Sequence, residues 1–385
     1  MGFWFGLLIT AAVISGLLYL YWDRRQDKKW APHVANQLIV RFQDGLTEEQ
    51  INEIHRKAKC ELVDSEPELG IYRVSSKRKM RRILKHYQRL AEIDFAEPNY
   101  QFKAFAVPND PYFALYQYGP QRIGAHSAWD VTQGSPAVKI AVVDTGVQLD
   151  HPDLQAKIVP GYDFVYNNTV PTDGNGHGTH VAGIAAAVTN NGIGMAGVCP
   201  LASILPVRVL DNSGSGDLMN VARGIIYAAQ QGAQVINLSL GAPVSASTLQ
   251  SAVQYAWNRG AVIVAAAGND GSSVPNYPAY YANVIAVAST NQNDAKSGFS
   301  NYGPWVDVAA PGEAILSTYP RNYYSYLSGT SMAAPHVAGV AALLAAQGKT
   351  NAQIVDAIVN TCDPIPGTGS YWIYGRVNAD RAIRA

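Results

Sequence analysis

Long apolar runs without polar alternation mark the second half of the chain and predict buried strands. The run KIAVV leads into Asp144, and the run AVIVAAA ends shortly before Asn269. Strands that are buried on both faces are typical of parallel sheets covered by helices. Two small-residue apolar segments, which begin near His177 and Ser331, have the composition of buried helices. Because open α/β sheets bind ligands at the carboxyl ends of their strands, these polar residues are candidates for one shared site.

A different pattern occupies residues 36–104. The strand-like segments QLIVRF, LGIYRVS and IDFAEPNYQF are separated by the amphipathic segments LTEEQINEIHRKA and KMRRILKHYQRL. This order is close to βαββαβ, which predicts a small ferredoxin-like α+β domain. We therefore expect a small α+β unit followed by a larger α/β unit.

The N-terminus forms a third kind of segment. Residues 3–22 carry no charge and are long enough to cross a bilayer. A basic cluster follows, made of Arg24, Arg25, Lys28 and Lys29. The positive-inside rule would place that cluster in the cytoplasm, and no A-x-A motif closes the apolar run. We interpret residues 1–30 as a hydrophobic leader or membrane segment with a basic flank.

Composition supports one sizeable enzyme-like core and argues against nucleic acid. The chain has 385 residues, 48% of them hydrophobic, and its formal net charge is zero. The Lys/Arg minus Asp/Glu balance is 17 minus 13 over residues 23–105 and 12 minus 16 over 106–385, and such opposite signs favour association. The odd number of cysteines, Cys60, Cys199 and Cys362, predicts free thiols rather than a disulfide framework.

Asp144, His177 and Ser331 together supply a carboxylate, an imidazole and a hydroxyl, which is the set that serine nucleophilic catalysis needs. Taken alone, Ser331 would be an ordinary helix cap. The DTG at Asp144 is also found in aspartic proteases, but those need two such carboxylates and the chain has one DTG. His177 and His180 do not have the HExxH spacing of a zinc hydrolase.

The motifs DTGV, HGTHVAG and GTSMAAPH resemble the three catalytic motifs of subtilisin-like serine proteases, in the same order Asp, His, Ser. The resemblance extends from Pro108 to the C-terminus. It implies an α/β, three-layer subtilisin-like fold with a mostly parallel central sheet, preceded by a small ferredoxin-like α+β propeptide domain. We expect an inhibitory propeptide domain at 31–105 and a peptidase domain at 106–385. His180 would be a structural histidine.

Within this family pattern, the side-chain amide of Asn269 is expected to stabilise the oxyanion together with the backbone N–H of Ser331. An Asn-Asp turn is the alternative for Asn269 taken alone. Extended substrates are commonly held by adding a strand to exposed backbone. The expected substrate-binding segments are Gly214, Ser215 and Gly216, and Ser239, Leu240 and Gly241. Small walls at Ala265, Ala266, Ala267 and Gly268 predict a pocket for aromatic or large aliphatic side chains.

The resemblance also implies Ca²⁺ as a cofactor. The expected ligands are the side chains of Asp110, Asp153 and Asn191 and the backbone carbonyls of Val188, Ile193 and Met195. Such oxygen-only ligation is typical of calcium. A second family site, near Asp163, is expected to be degraded because Tyr166 and Asn168 replace acidic residues there.

These expectations combine into a calcium-stabilised serine endopeptidase that hydrolyses extended protein substrates through an acyl-enzyme. The chain would be made as a precursor that cuts itself between Phe105 and Ala106. Its expected partners are peptide substrates, its own propeptide and, through residues 3–22 of the precursor, a membrane; the mature enzyme is expected to be a monomer. We expect an extracytoplasmic location, either secreted or anchored. The alternative is a non-catalytic peptide-binding pseudoprotease.

Overall fold

A computed structural model describes residues 33–101 and 107–385 of the chain. The chain divides into two compact units between residues 104 and 105. The expected leader at residues 3–22 and the expected processing bond between Phe105 and Ala106 lie outside the described residues. Within the described ranges, no helix has the length and apolar character needed to cross a membrane.

The first unit is a four-stranded antiparallel sheet with two helices, which confirms the ferredoxin-like prediction. Its sheet order is β2-β3-β1-β4. The elements, in chain order, are β1 (His33–Phe42), α1 (Glu48–Ala58), β2 (Glu61–Glu66), a 3₁₀ turn (Pro67–Leu69), β3 (Ile71–Ser75), α2 (Met80–Tyr87) and β4 (Ile93–Tyr100). Strand β2 was not recognised in the sequence, because all of its residues are exposed and it carries no apolar alternation.

Local sequence accounts for much of this first unit. Leu38, Val40 and Phe42 alternate along β1 and are buried, because successive side chains of a strand point to opposite faces. Helix α1 begins at a capping box, in which Thr47 accepts from the Gln50 N–H while Gln50 accepts from the Thr47 N–H. The unit therefore follows rules that can be read from neighbouring residues.

The second unit contains an eight-stranded sheet and a two-stranded antiparallel ribbon. Its strands are β5 (Lys139–Asp144), β6 (Tyr162–Asp163), β7 (Ser203–Arg208), β8 (Val235–Leu238), β9 (Val262–Ala266), β10 (Val284–Thr290), β11 (Val308–Pro311), β12 (Ile315–Tyr319), β13 (Tyr323–Leu327) and β14 (Gly375–Arg376). Its helices are α3 (Phe113–Tyr116), α4 (Tyr118–Arg122), α5 (Ala125–Ala128), α6 (His177–Ala186), α7 (Leu218–Gln230), α8 (Ser247–Asn258), α9 (Thr330–Ala345), α10 (Asn351–Asn360) and α11 (Ala379–Arg384), with a 3₁₀ turn at Gln155–Lys157.

The large sheet has the order β14-β11-β10-β9-β8-β5-β7-β6, and its paired strands run parallel. Helices cover both faces, since the core on one face includes residues of α6 and α9 and the core on the other includes residues of α7 and α8. The predicted three-layer α/β fold is confirmed. Strand β5 lies between β7 and β8. The chain leads from β5 to β6 on one side of the sheet and from β8 to β9 on the other, which opens a crevice at the carboxyl ends of β5 and β8.

Candidate active site

Asp144 ends β5 at this crevice and is fully buried. Its Oδ1 lies 2.7 Å from Nδ1 of His177, the first residue of α6. Gly178 permits this approach, because a Cβ at that position would lie 2.1 Å from the Gly146 carbonyl oxygen. The sequence motifs DTG and HG therefore bring a carboxylate and an imidazole into direct contact, which orients the ring and fixes a proton on Nδ1.

The electrostatics of this pair suit a general base. Burial lowers the pKa of His177, but the adjacent Asp144 carboxylate and, more weakly, Asp173 outweigh it, so the net pKa is raised. The His177 side chain keeps 26% of its surface exposed, which leaves the ring accessible from the crevice. The imidazolium that forms when the ring accepts a proton is thus stabilised where it is needed.

Asp173 anchors the start of α6 and was missed in the sequence. Its carboxylate accepts hydrogen bonds from the N–H groups of Asn175, Gly176 and Thr179 at 2.9 Å each, and from the Thr179 hydroxyl at 2.6 Å. The Thr145 hydroxyl also donates to it, at 2.9 Å. An aspartate just before a glycine-rich helix start is a capping signal that could have revealed this role.

His180, one turn along α6, faces the protein interior. Its Nε2 lies 3.0 Å from the carbonyl oxygens of Ile315 and Ser325, and burial lowers its pKa to about 3. A neutral ring that donates to the backbone of the β12–β13 ribbon is a structural group.

Ser331 is the second residue of α9 and lines the same cleft as His177. Its hydroxyl donates to the Ser239 carbonyl oxygen at 3.2 Å, and the Ser239 hydroxyl donates back to the Ser331 carbonyl oxygen at 2.8 Å. No direct hydrogen bond joins Ser331 to His177 among the described residues. Free enzymes commonly close this hydrogen bond only when substrate binds.

Two hydrogen-bond donors converge beside Ser331. The point where a Cβ on Gly329 would stand lies 3.5 Å from Asn269 Nδ2 and 3.6 Å from the Ser331 N. Thr330 orients the amide, because its N–H and hydroxyl donate to Asn269 Oδ1 at 2.8 and 3.0 Å. The Nδ2 group is therefore left to face the cleft. The sequence predicted the role of Asn269 but not that of Thr330, although Thr330 lies between Gly329 and Ser331 in the GTS motif.

The cleft has a volume of about 900 Å³. It contains most of the predicted substrate-binding residues: Gly214, Ser215, Gly216, Ser239, Leu240, Gly241, Ala266 and Gly268. Ala265 and Ala267 do not line it. Both are fully buried, in two different hydrophobic cores, because alternate residues of β9 and its extension point away from the cleft.

Apolar residues that the sequence reasoning did not single out widen one end of the cleft. Leu210, Leu218, Val221, Val244 and Leu249 line it beside the Gly214–Gly216 segment. Leu218 and Val244 are exposed, at 44% and 67% of their surface. The spacing of Leu218 and Val221 at the start of α7 was a detectable signal, since residues three apart share a helix face.

The predicted calcium ligands are drawn together near the carboxyl end of α6. Asp153 accepts from Asn191 Nδ2 at 2.7 Å and from the Met195 N–H at 2.9 Å, and the Ile193 N–H donates to Asn191 Oδ1 at 3.1 Å. The Val188 N–H donates to the Asp153 carbonyl oxygen at 2.8 Å. One segment, residues 188–195, thus wraps around the Asp153 carboxylate.

Two observations bear on whether this donor set fits a cation. Asp110 Oδ1 is buried and has no hydrogen-bond partner among the described residues, although Oδ2 of the same carboxylate accepts from the Asn190 N–H. Burial raises the pKa of Asp153, a cost that a bound cation would offset. In the described parts of the chain, no group of three or more His, Cys, Asp or Glu side chains is arranged to hold a metal ion, so most ligands here would be amide and carbonyl oxygens.

At the position expected for a degraded second calcium site, the Asp163 carboxylate is engaged in internal contacts. Asp163 pairs with the buried Arg208 guanidinium at 3.3 Å and accepts from the N–H groups of Val165 and Tyr166. Its oxygens are therefore already used within the protein.

Comparisons with known proteins agree on one family. The model of the Subtilase family matches residues 135–377, and the model of the fervidolysin N-terminal prodomain matches residues 23–99. Thermitase from Thermoactinomyces vulgaris is 66% identical over 278 residues, which are 72% of this chain and 99% of thermitase. The thermophilic serine proteinase of Bacillus sp. (strain AK1) is 51% identical over 352 residues, 91% of this chain and 88% of that protein. A solved protease structure from Pseudoalteromonas arctica matches with a TM-score of 0.68 and 37% identity, covering 72% of this chain and 99% of its own.

Proposed function

Because this chain belongs to the subtilase family of serine proteases, we propose that it is an endopeptidase that cleaves extended protein substrates through an acyl-enzyme on Ser331. His177 takes the Ser331 hydroxyl proton as Oγ attacks the scissile carbonyl, and the Asp144 carboxylate stabilises the resulting imidazolium. His177 then gives that proton to the leaving amine. Water, activated by the same ring, releases the acyl group.

The observation that carries this proposal is the convergence of donors and nucleophile. Asn269 Nδ2 and the Ser331 N lie 3.5 and 3.6 Å from a single point beside Gly329, in the cleft that Ser331 lines. Donors held in advance around the position of a developing oxyanion stabilise the transition state more than the bound substrate. A peptide-binding pseudoprotease would have no use for such an arrangement.

Labelling by a fluorophosphonate separates the enzyme from the pseudoprotease. The activated Ser331 Oγ should displace fluoride from phosphorus and form a stable phosphonyl ester, which is located by peptide mass analysis. Ser331→Ala should remain unlabelled, whereas Ser328→Ala should label like the unchanged chain. Failure to label a folded, processed protein at Ser331 would reject the enzymatic proposal.

The cleft supports a preference for extended, apolar substrates. The segments at Gly214–Gly216 and Ser239–Gly241 both line it, and the small residues Ala266 and Gly268 leave room for a large side chain. We infer aromatic or large aliphatic residues before the cleaved bond.

The first unit is proposed to be an inhibitory propeptide, with a leader at residues 1–30, the propeptide at 31–105 and the peptidase at 106–385. The prodomain match over residues 23–99 supports a propeptide, although it begins inside the assigned leader, and the opposite net charges of residues 23–105 and 106–385 favour their association. Phe105 is the residue we expect in the specificity pocket when the chain cuts itself before Ala106. Intact mass provides the test: Ser331→Ala should keep the residues before 106, and its cleavage at that bond in the absence of other proteases would exclude self-processing.

We also propose that Ca²⁺ stabilises the peptidase unit. Asp110, Asp153 and Asn191 would hold it with the carbonyl oxygens of Val188, Ile193 and Met195, and the unpaired Asp110 Oδ1 supports this assignment. The ion would crosslink residues 188–195 to the body of the unit and add stability by binding only the folded state.

Melting with and without a chelator tests the calcium assignment. Asp153→Ala should lower the thermal midpoint and abolish its response to chelator. Asn168→Ala, in the degraded second site, should leave that response unchanged. Equal insensitivity of the unchanged chain and Asp153→Ala would refute the assigned site.

We further propose that the peptidase unit acts outside the cytoplasm, because a folded protease of broad specificity would endanger the cell. A reporter that is active only in the cytoplasm, fused to the C-terminus of Ser331→Ala, should give little signal. Strong reporter activity would reverse this assignment.

A further inference from the structure

The ammonium group of Lys157 lies within hydrogen-bond distance of four backbone carbonyl oxygens. Its Nζ donates to the Ala186 oxygen at 2.8 Å, to the Ala187 and Cys199 oxygens at 3.3 Å each, and to the Pro200 oxygen. An ammonium has only three protons. Because four oxygens surround three protons, the attraction is partly a general electrostatic one and not four separate directed hydrogen bonds.

These oxygens come from the two ends of one segment. Ala186 and Ala187 close α6, while Cys199 and Pro200 lie in the turn before β7. The last carbonyls of a helix lack intrahelical donors and carry the negative end of its dipole. A positive charge at this place therefore ties both ends of residues 187–200 to the 3₁₀ turn at Gln155–Lys157.

Two of the four carbonyl oxygens depend on the Lys157 ammonium for a hydrogen bond. Among the described residues, Lys157 is the sole donor to the Ala186 and Pro200 carbonyl oxygens, and both residues are buried. Burial lowers the pKa of Lys157 to about 8, which is the electrostatic cost of keeping an ammonium there. Leaving two buried carbonyls without a partner would cost about 1–3 kcal/mol each.

We propose that the four carbonyl oxygens form a binding site for a monovalent cation such as K⁺, which the chain fills with its own Lys157 ammonium. Neutral backbone oxygens can replace the hydration shell of an alkali cation. A divalent ion prefers carboxylates, and no carboxylate is bonded to Nζ. The internal ammonium would fix residues 187–200 without an external ion. This proposal does not depend on the catalytic one.

The test removes the ammonium and offers the ion instead. Full-length chains carrying Ser331→Ala, to prevent autolysis, are melted at constant calcium in choline chloride or in KCl of equal ionic strength. Lys157→Ala, which vacates the site, should melt about 5–10 °C lower in choline. KCl should recover roughly half of that loss with a saturable dependence on its concentration.

Two variants serve as controls. Lys157→Met fills the same space with an apolar chain, so it should lose stability and show no response to K⁺. Lys139→Ala removes an exposed ammonium that donates to a single carbonyl, that of Gln231 at 2.8 Å, and should melt normally in both salts.

The outcomes separate clearly. Equal melting of Lys157→Ala in K⁺ and choline, or an equal K⁺ response in Lys157→Met, would overturn the proposal. So would a Lys157→Ala chain as stable as its parent in choline. If Lys157→Ala is unfolded in choline, refolding on addition of KCl, followed by circular dichroism, supports the site, and continued unfolding in KCl rejects it.

Discussion

The two helix starts that carry the proposed catalytic residues differ from two locally capped helix starts elsewhere in this protein. In the first unit, α1 starts at Thr47 with a capping box, and in the second unit α10 starts at Thr350 with the same device. The helices that carry His177 and Ser331 start instead after Gly176 and Gly329, and neither glycine position supplies a side-chain cap. A local cap satisfies the first N–H groups but also occupies the space in front of them.

The helices that carry the proposed catalytic residues obtain their caps from residues outside the helix. Asp173 and Thr145 accept from N–H groups at the start of α6, and Asn269 accepts from Thr330 at the start of α9. The described residues offer no acceptor to the Ser331 N–H. That group and the side chain of Asn269 therefore stay available to an oxyanion, whereas the capping boxes of α1 and α10 occupy two N–H groups of each first turn with the protein's own side chains.

The largest effect expected from this contrast is loss of the nucleophile. Ser331→Ala should lower kcat for peptide hydrolysis by about 10⁶-fold, which is the size known for the same loss in subtilisin. Stability should change little, since alanine is tolerated at a helix position that supplies no cap. Turnover of a chromogenic peptide and thermal melting measure the two quantities. Activity within tenfold of the unchanged enzyme, in a preparation free of other proteases, would refute the mechanism.

Next in size is removal of the side-chain oxyanion donor. Asn269→Ala should lower kcat by about 10²–10³-fold with little change in KM, as the equivalent loss does in subtilisin. The donor acts on a charge that exists only in the transition state, so binding is spared. Steady-state kinetics on one peptide separate the two constants. A rise in KM at constant kcat would reassign Asn269 to substrate binding.

Gly329→Ala tests whether the open space before the first turn of α9 is needed for catalysis. The added methyl would stand in ordinary contact with the surrounding atoms, at 3.5 Å from Asn269 Nδ2, so folding should tolerate it. It would crowd the space beside the two proposed oxyanion donors and lower kcat by roughly 10–100-fold. Gly298→Ala is the matched control, because its Cβ would meet nothing within 4 Å. Equal activity of both variants would show that the oxyanion forms elsewhere.

The pH profile tests the pairing of His177 with Asp144. A general base must be neutral, and the pKa of His177 is raised above its ordinary value of 6.5. The acid limb of kcat/KM should therefore have its midpoint above 6.5, with about a tenfold fall per pH unit below it. Profiles measured with two different peptides distinguish a titrating group of the enzyme from a titrating group of the substrate. A midpoint below 6.5 would contradict the raised pKa.

The smallest expected effects lie at the locally capped helices. Thr47→Ala and Thr350→Ala should each destabilise their own unit by about 1 kcal/mol, because each removes a capping box. Hydrogen exchange of the Ser331→Ala precursor resolves the two units separately. Initial catalytic rates of the processed enzyme should be unaffected by Thr350→Ala. Unchanged exchange of α1 in Thr47→Ala, or of α10 in Thr350→Ala, would show that these capping boxes do not stabilise their helices.

The sequence by itself determined the elements whose cause is local. Apolar runs gave β5 and β9, alternation gave β1, and the glycine-flanked motifs located Asp144, His177 and Ser331. The edge strand β2 escaped because every residue in it is exposed, so no hydrophobic pattern marks it. Ala265 and Ala267 were assigned to the pocket because sequence proximity to Asn269 does not tell which face of a strand a side chain takes.

Only the tertiary structure decided which distant groups complete each site. Asp173 caps α6, Thr330 orients Asn269, and Lys157 gathers carbonyls from two turns that are more than ten residues apart. Asp173 carries a capping signal, but the N–H groups from which it accepts are decided in space. Thr330 and Lys157 are not marked by spacing, because a hydrogen bond selects by distance and direction in space. The sequence thus specified which helix starts lack their own caps, and the parallel sheet, by bringing the ends of separate strands to one edge, decided which residues supply them.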